Sequence, residues 1–401
     1  MKKTVISAIA ALAIGTTGLS ATQFYVDEEG QVFTTKGEGR KALETKESSI
    51  FAKADKLEFS GTHYLGFISK NEKNDDTTNN FEMRRNYVQV KAYVLDDPKS
   101  YLRVTLDATY TNSTADGEGH SDVYVKYAYL FLNEVIPFTG VEFGMAHRPW
   151  IDYEEHQGWW MRSISKVFVE ASESSHLTNS ADLGVNLKTK TPYFTSEVGL
   201  FNGEGYHGSN DNGGANDEEI GDGISVEWRA TAALLGNGKK KRKPLKDDYF
   251  DVSFFGQHNM QNSKNADGIT GNLEDYTWYG FHTVYNTPAL LLSAQYVKSE
   301  NDLKTSSEWN GDGFSVNGTL RFGEKKQYSI IGRYDNWTAE KDSTNEEFET
   351  NNAIYGVAWQ QNKNIKWLLS GQTYDAKDNK NYKGSAANDW NSVMLTAEVH
   401  W

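Results

Sequence analysis

Apolar and polar residues alternate one for one through much of this chain, in runs of about ten residues. In "SYLRVTLDATY" one face holds Leu102, Val104, Leu106, Ala108 and Tyr110, and the other holds Tyr101, Arg103, Thr105, Asp107 and Thr109. "GISVEWRATAAL" sets Ile224, Val226, Trp228, Ala230, Ala232 and Leu234 against Ser225, Glu227, Arg229 and Thr231. "GFSVNGTLRF" sets Phe314, Val316, Leu320 and Phe322 against Ser315, Asn317, Thr319 and Arg321. The terminal "VMLTAEVHW" puts Val393, Leu395, Ala397, Val399 and Trp401 on one side, with Met394, Thr396, Glu398 and His400 on the other, polar apart from Met394. In "DVYVKYAYLF" the same rule assigns Val123, Val125, Tyr127, Tyr129 and Phe131 to the apolar face. "DYTWYGFHTVY" has aromatics at both parities and takes no orientation.

A soluble sandwich alternates too, so the connections decide. Long polar stretches such as "NEKNDDTTNN", "NSTADGEGH" and "NGEGYHGSNDNGGANDEEIGDG" alternate with short ones such as "DDPKS", "TKTP", "YNTP", "GEKKQ" and "QNKN". The exception is "GNGKKKRKPLKDD", a basic connection where a short turn is due. Long outer loops and short inner turns mark outer-membrane barrels. The fold class expected is therefore all-β: a transmembrane antiparallel β-barrel of about sixteen strands, in the porin size range. Closure pairs every backbone group, so one face can meet lipid and the other water. Tyr110, Trp228 and Trp401 sit near strand ends, where aromatic girdles form.

Composition narrows the class. There is no Cys, so neither a disulfide framework nor a thiolate metal site is available. Aromatics reach 13% and Gly numbers 35 against 6 Pro. "MKK" followed by the apolar "TVISAIAALAIGTTGL" and "LSA" reads as a secretory signal over 1–21. No later stretch approaches the roughly 18–20 apolar residues of a membrane helix. Residues 22–56 are polar and read as a periplasmic N-terminal segment with a short helix near "KALETKESSIFAKAD"; residues 57–401 form the barrel.

On the signal, the strand and loop rhythm, "FGMAHRPWIDYEEHQGWWMRSISKVFVEAS" and the terminal "AEVHW", the chain resembles Gram-negative outer-membrane porins, most of all the phosphate-selective porin family and ε-proteobacterial porins. The resemblance implies a homotrimer with one pore per subunit and a long third loop folded into each pore. It implies bacterial outer-membrane lipid and lipopolysaccharide as surroundings. It also implies recognition by the barrel assembly machinery through the last strand, ending at Trp401.

Strand parity assigns the lumen. The basic set is Arg85, Lys91, Arg103, Lys126, Arg148, Arg229, Arg321, Arg333 and Lys366; the acidic set is Asp107, Glu142, Glu197, Glu227, Asp251, Asp335 and Glu398. A charge facing lipid costs roughly 2–4 kcal/mol at the midplane, which is why these are placed inward. The two sets nearly balance, so most of the formal charge of −14 falls in loops. Phosphate specificity would call for a denser basic ladder. The constriction loop expected over 149–182 offers Asp152, Glu154, Glu155, Arg162, Lys166 and Glu170, with Trp159 and Trp160 between. Charged side chains at the narrowest point would filter by size and sign.

HExxH, GxSxG and P-loop motifs are missing, and His63, His147, His156, His258 and His282 lack ligand spacing, so neither an enzyme nor a cofactor or metal is expected. The "KKKRK" run over 239–243 suits anionic headgroups or peptidoglycan rather than nucleic acid in an exported chain. The expected function is passive diffusion of small hydrophilic solutes and ions. The alternatives are an anion- or phosphate-selective channel, or an adhesive surface barrel with incidental conduction.

Overall fold

The structure is a computed structural model. It describes residues 57–73, 75–93, 97–111, 120–203, 205–206, 224–260, 274–304, 307–377 and 388–401, plus short pieces at 25–26, 32–33, 36–38, 41–42, 381–382 and 385–386. The signal at 1–21, most of the helix suggested near 41–55 and the acidic "NDNGGANDEE" lie outside these residues, as does the Tyr110 side chain. Lys41–Ala42, at the start of the suggested helix, is instead a strand. It pairs with Tyr25–Val26, which also pairs with Val32–Phe33, in a small antiparallel sheet.

Sixteen strands close a barrel. They are β1 (Leu57–Glu72), β2 (Thr78–Ala92), β3 (Tyr101–Thr111), β4 (His120–Ile136), β5 (Thr139–His147), β6 (Ala181–Lys190), β7 (Phe194–Phe201) and β8 (Ser225–Leu235). The second half comprises β9 (Tyr249–Asn259), β10 (Tyr276–Asn286), β11 (Leu290–Lys304), β12 (Ser307–Phe322), β13 (Tyr328–Lys341), β14 (Glu346–Gln360), β15 (Ile365–Lys377) and β16 (Trp390–His400). Each pairs with its sequence neighbours, and β16 closes on β1 with His400 opposite Thr62 and Trp390 opposite Glu72. Trp401 secures the seam: its carbonyl accepts from Gly61 N at 2.9 Å, and its indole N–H donates to His63 Nε2 at 3.0 Å.

The outward face carries the apolar set read from the sequence. Leu102, Val104 and Leu106, Phe314, Val316, Leu320 and Phe322, and Val393 and Leu395 are all exposed, while the alternate positions are buried or, at Tyr101 and Arg103, half-buried. Two aromatic rows run across neighbouring strands. Phe254, Phe281, Tyr296 and Phe314 are direct cross-strand partners on β9–β12. Phe322, Tyr328, Trp359 and Trp367 are direct partners on β12–β15. On β12 the rows lie eight residues apart, about 27 Å of strand, the order of the apolar band of a tilted barrel.

Several strands outrun that band: β4 has 17 residues, and β1 and β12 have 16. "TAEKDSTNEEFETNN", a loop by its polarity, is mostly ladder, broken only between Lys341 and Glu346.

One face assignment is corrected. A register shift where β4 meets β3, between Thr105 and Leu106, leaves Lys126 as an extra residue opposite no partner. Beyond this bulge parity reverses. Val123 and Val125 face out, but Tyr127 and Tyr129 are buried inward and Phe131 packs beside them. The unoriented β10 turns Tyr276, Trp278, His282 and Val284 inward and Phe281 and Tyr285 outward.

Candidate functional site

Between β5 and β6 the chain leaves the wall. The segment opens with helix α1 (Pro149–Gln157), for which Pro149 supplies a preset φ at the first position and forces extended backbone on Arg148. It packs against inward side chains from many strands. Trp150 stacks on Phe255 at 3.5 Å between centroids, and Phe168 meets Trp337 edge-on at 6.1 Å. Trp150, Trp159, Ile164, Val167, Phe168, Val169 and Leu177 share one apolar cluster with Trp278, Ile331, Phe348, Leu368 and Met394. Polar contacts add anchors: Ser163 to Glu398 (2.5 Å), Ser174 to Asp335 (2.6 Å), and Arg84 of β2 to the Ile164 carbonyl (3.0 Å).

Arg148 is the hub at the base of this segment. Its guanidinium donates to Asp182 at 2.7 Å, to Gln257 at 2.9 Å and to Thr178, and pairs with Glu227 at 3.1 Å. Asp182 begins the returning strand, so Arg148 ties the two ends of the excursion together. All these groups are buried.

A second knot adjoins it. Lys188 of β6 meets Glu142 (3.2 Å), Glu197 (3.3 Å) and Asp152 (3.4 Å), and Glu197 also accepts from Arg229 (3.0 Å). His147 lies 3.5 Å from Glu142. On the segment, Arg162 pairs with Glu155 and with Glu170 (3.0 Å), and the half-exposed Lys166 lies 3.5 Å from Glu170. Burial opposes ionisation of Glu170, but Arg162, Lys166, Lys126 and Arg85 outweigh it and hold the carboxyl well below its usual range. Glu170 therefore faces the β2–β4 wall. Glu154 differs: buried beside Gln295, its carboxyl is pushed up by desolvation to about 7, against the pull of Arg333.

Farther round, Arg333 pairs with Asp335 (2.7 Å) and caps the Lys166 carbonyl (2.6 Å), and Lys366 pairs with Glu398 (2.5 Å). Asp251 accepts from Tyr153 of α1 (2.6 Å) and from Arg242 (2.9 Å) of the basic connection. Arg321 bonds Asn286 (3.0 Å) and stacks on Trp160.

The β2–β4 wall is built otherwise. Arg85 lies over Tyr87 (4.4 Å) and Tyr64 (5.5 Å), Lys91 over Tyr101 (5.0 Å), Arg103 over Tyr127 (4.7 Å), and Lys126 over Tyr206 (3.2 Å). Among the described residues none of these four cations has a carboxylate within 4 Å. Asp107 of this wall accepts instead from Asn86 N–H and from Tyr124 O–H, each at 3.0 Å, and Glu82 pairs with Arg84 at 2.6 Å.

Every parity-assigned wall residue is thus placed, and the six segment residues lie among them. Parity missed Lys188, the neutral tyrosine seats and Arg84. Phe81, Met83 and Val88 are all exposed, so parity slips once along β2 and both Arg84 and Arg85 reach inward. Of the four seats one had a local signal: Tyr87 stands two residues from Arg85 on the same strand face, whereas Tyr101, Tyr127 and Tyr206 reach Lys91, Arg103 and Lys126 from other parts of the chain. Of the histidines, His282 does meet a hydroxyl, Ser293 Oγ at 2.7 Å. The pair is buried beneath Trp150, and Nδ1 has no partner to orient it.

No family model matches the chain, and no curated protein matches its sequence. Solved structures do. OmpT of Vibrio cholerae, folded in vitro and in its trimer form, aligns with a TM-score of 0.55 at 16% identity, over 86% of this chain and 99% of that one. An anion-selective porin from Comamonas acidovorans aligns at 0.57 and 10% identity, over 86% and 99%. OmpF of Salmonella typhi, in complex with daunomycin, aligns at 0.57 and 12% identity, over 86% and 97%. The chain shares their fold: a closed sixteen-strand antiparallel barrel.

Proposed function

We propose that this chain is an outer-membrane porin, a water-filled channel through which small hydrophilic solutes and ions diffuse. The observation that carries the reading is a closed barrel with an apolar, aromatic-ringed outside and a charged inside holding a long folded segment. Bilayer physics asks for that outside, and an inward segment with ionised groups is how a barrel narrows and filters a pore. In this reading 149–182 is the constriction. It fills the β9–β16 side of the lumen and leaves the solute path beside β2–β4. Asp152, Glu155, Arg162, Lys166 and Glu170 border that path, and Arg85, Lys91 and Arg103 line it, with Lys126 buried behind Tyr206.

The same reading makes the protein an exported homotrimer in outer-membrane lipid and lipopolysaccharide, assembled through β16. It assigns no catalysis. Cations without counter-ions on the path favour anions over cations; they do not by themselves select phosphate.

Planar-bilayer recording tests the reading. Stepwise insertion in threes, with a reversal potential showing mild anion preference under a salt gradient, is expected. A folded protein that gives no current would remove it.

A further inference from the structure

We propose that Lys91 and Arg103, with Lys241 nearby, form a binding site for a small dianionic oxyanion at the pore end that carries Trp401; the inference rests on the channel reading. Lys91 and Arg103 are direct cross-strand partners on β2 and β3, and both point inward. Like charges directly opposite one another on a sheet repel. Folding normally relieves such a pair with a carboxylate, and here it does not. The arginine's contacts are neutral: Nε donates to Thr105 Oγ1 (3.0 Å), and Nη1 to Tyr129 Oη (3.2 Å) and His147 Nε2 (3.1 Å). Its Nη2 has no hydrogen-bond partner among the described residues.

The neighbouring acids are engaged elsewhere. Glu58, which attracts Lys91, accepts from Tyr93 Oη at 3.0 Å. Glu142 and Asp152 serve Lys188 and His147. A third cation makes matters worse: Lys241, from the basic connection, approaches closely enough to repel Lys91.

That connection is held in place. Gly238 N–H donates to the Pro192 carbonyl (2.8 Å), Asn286 Nδ2 to the carbonyls of Pro244 (3.0 Å) and Asp247 (2.8 Å), and Arg242 pairs with Asp251. Its lysines are therefore presented on a fixed scaffold at the same end of the barrel. The Tyr93–Glu58 bond places Lys91 at that end too, beside the start of β1.

Two cations about 5 Å apart at their Cβ atoms, one with its Nη2 group left to donate, match an anion with two charged oxygens. A guanidinium N–H makes a strong charge-assisted hydrogen bond to carboxylate or phosphate. Short dicarboxylates and phosphate share this chemistry; a monoanion such as acetate leaves one cation uncompensated.

The test records chloride current through the wild-type protein while succinate, inorganic phosphate or acetate is added at constant ionic strength. Calorimetric titration of the same anions into the detergent-solubilised protein runs in parallel. Lys91→Gln, Arg103→Gln and Lys241→Gln are compared, each checked for folding by heat-dependent gel mobility. Saturable block by a dianion, with half-saturation raised at least tenfold in Lys91→Gln and Arg103→Gln and less in Lys241→Gln, is expected. Succinate acting alone assigns dicarboxylates, phosphate alone assigns phosphate, and both together assign charge spacing as the determinant. Equal effects of acetate and the dianions, or block unchanged in both single variants, would overturn the site. Calorimetric binding that depends on Lys91 and Arg103 in a protein that carries no current would keep the site and remove the channel.

Discussion

Two stretches of the same inner wall obey the same alternation and come out as different materials. On β2–β4 the cations Arg85, Lys91, Arg103 and Lys126 rest on tyrosine rings, with no carboxylate within 4 Å among the described residues. From β5 onward Arg148, Lys188, Arg229, Arg333 and Lys366 each hold a carboxylate, and Trp278, Trp337, Phe348 and Met394 are covered by the internal segment. The second region is a protein core that happens to lie inside a barrel: dry, apolar and ion-paired. The first seats its cations on neutral rings, half-buried at Arg85, Lys91 and Arg103 and fully buried at Lys126. In the proposed channel, rigidity would come from one side of the lumen and solute preference from the other.

The sharpest way to break this division is to replace 150–180 with a short Gly/Ser linker. Single-channel conductance should rise several-fold, and an apolar dye should bind the uncovered Trp278 and Trp337. Unchanged conductance would mean that the segment does not occupy the path.

Next come substitutions that separate stability from selectivity. Trp150→Ala should cost about 3–5 kcal/mol of the docked structure, the usual loss for a fully buried large aromatic. Arg148→Ala should cost a similar amount, about 3–5 kcal/mol, because Asp182 and Glu227 stay buried without their cation. Arg85→Gln should cost less than about 1 kcal/mol, since it breaks no ion pair. Denaturant unfolding in detergent reads all three, and an Arg85 cost equal to that of Arg148 would erase the contrast.

A smaller effect is expected on ion preference. Arg85→Gln should lower the anion-to-cation permeability ratio by about twofold by removing one unneutralised charge from the pore lining. Lys366→Gln should leave the reversal potential nearly unmoved, because Glu398 already neutralises Lys366.

The mildest prediction concerns pH. The Glu154 carboxyl titrates at about 7 when the segment is docked, above its ordinary value of 4.5. Protonated Glu154 therefore supports docking fully below pH 4.5, and the support fades as pH rises to about 7. Current noise from segment movement should grow over that interval and flatten in Glu154→Gln. A pH-independent noise level in the wild-type protein would contradict the assignment.

The sequence made the lipid face of β3, β8, β12 and β16 legible, because there most outward residues are apolar and most inward ones polar, Met394 and Ala233 excepted. It failed on β10 for a physical reason: Tyr276 and Trp278 face inward against the internal segment, so neither face is polar. It failed on the far half of β4 because a bulge has no composition of its own. Outer strand extensions such as Glu346–Thr350 looked like loops, since beyond the bilayer neither face needs to be apolar while the ladder continues. Inward cations could be read from parity, but their partners could not. Whether Lys188 meets three carboxylates or Lys91 meets none depends on where a distant segment folds back.

The extra residue at Lys126 acts on β4 as a change of reading frame acts on a message. Before it, odd-numbered positions are written for oil; after it, odd-numbered positions are written for water. Deleting that one residue would leave the composition of the strand almost untouched. It would also let Val125 and Tyr127 pair in regular register with Leu106 and Thr105, with every face unchanged; pairing Lys126 without the bulge is what would send Tyr127, Tyr129 and Phe131 into the membrane and strip Arg103 of its seat. In such a wall a single residue that pairs instead of bulging rewrites half a strand of the inner face at once, a larger step than any single substitution can take.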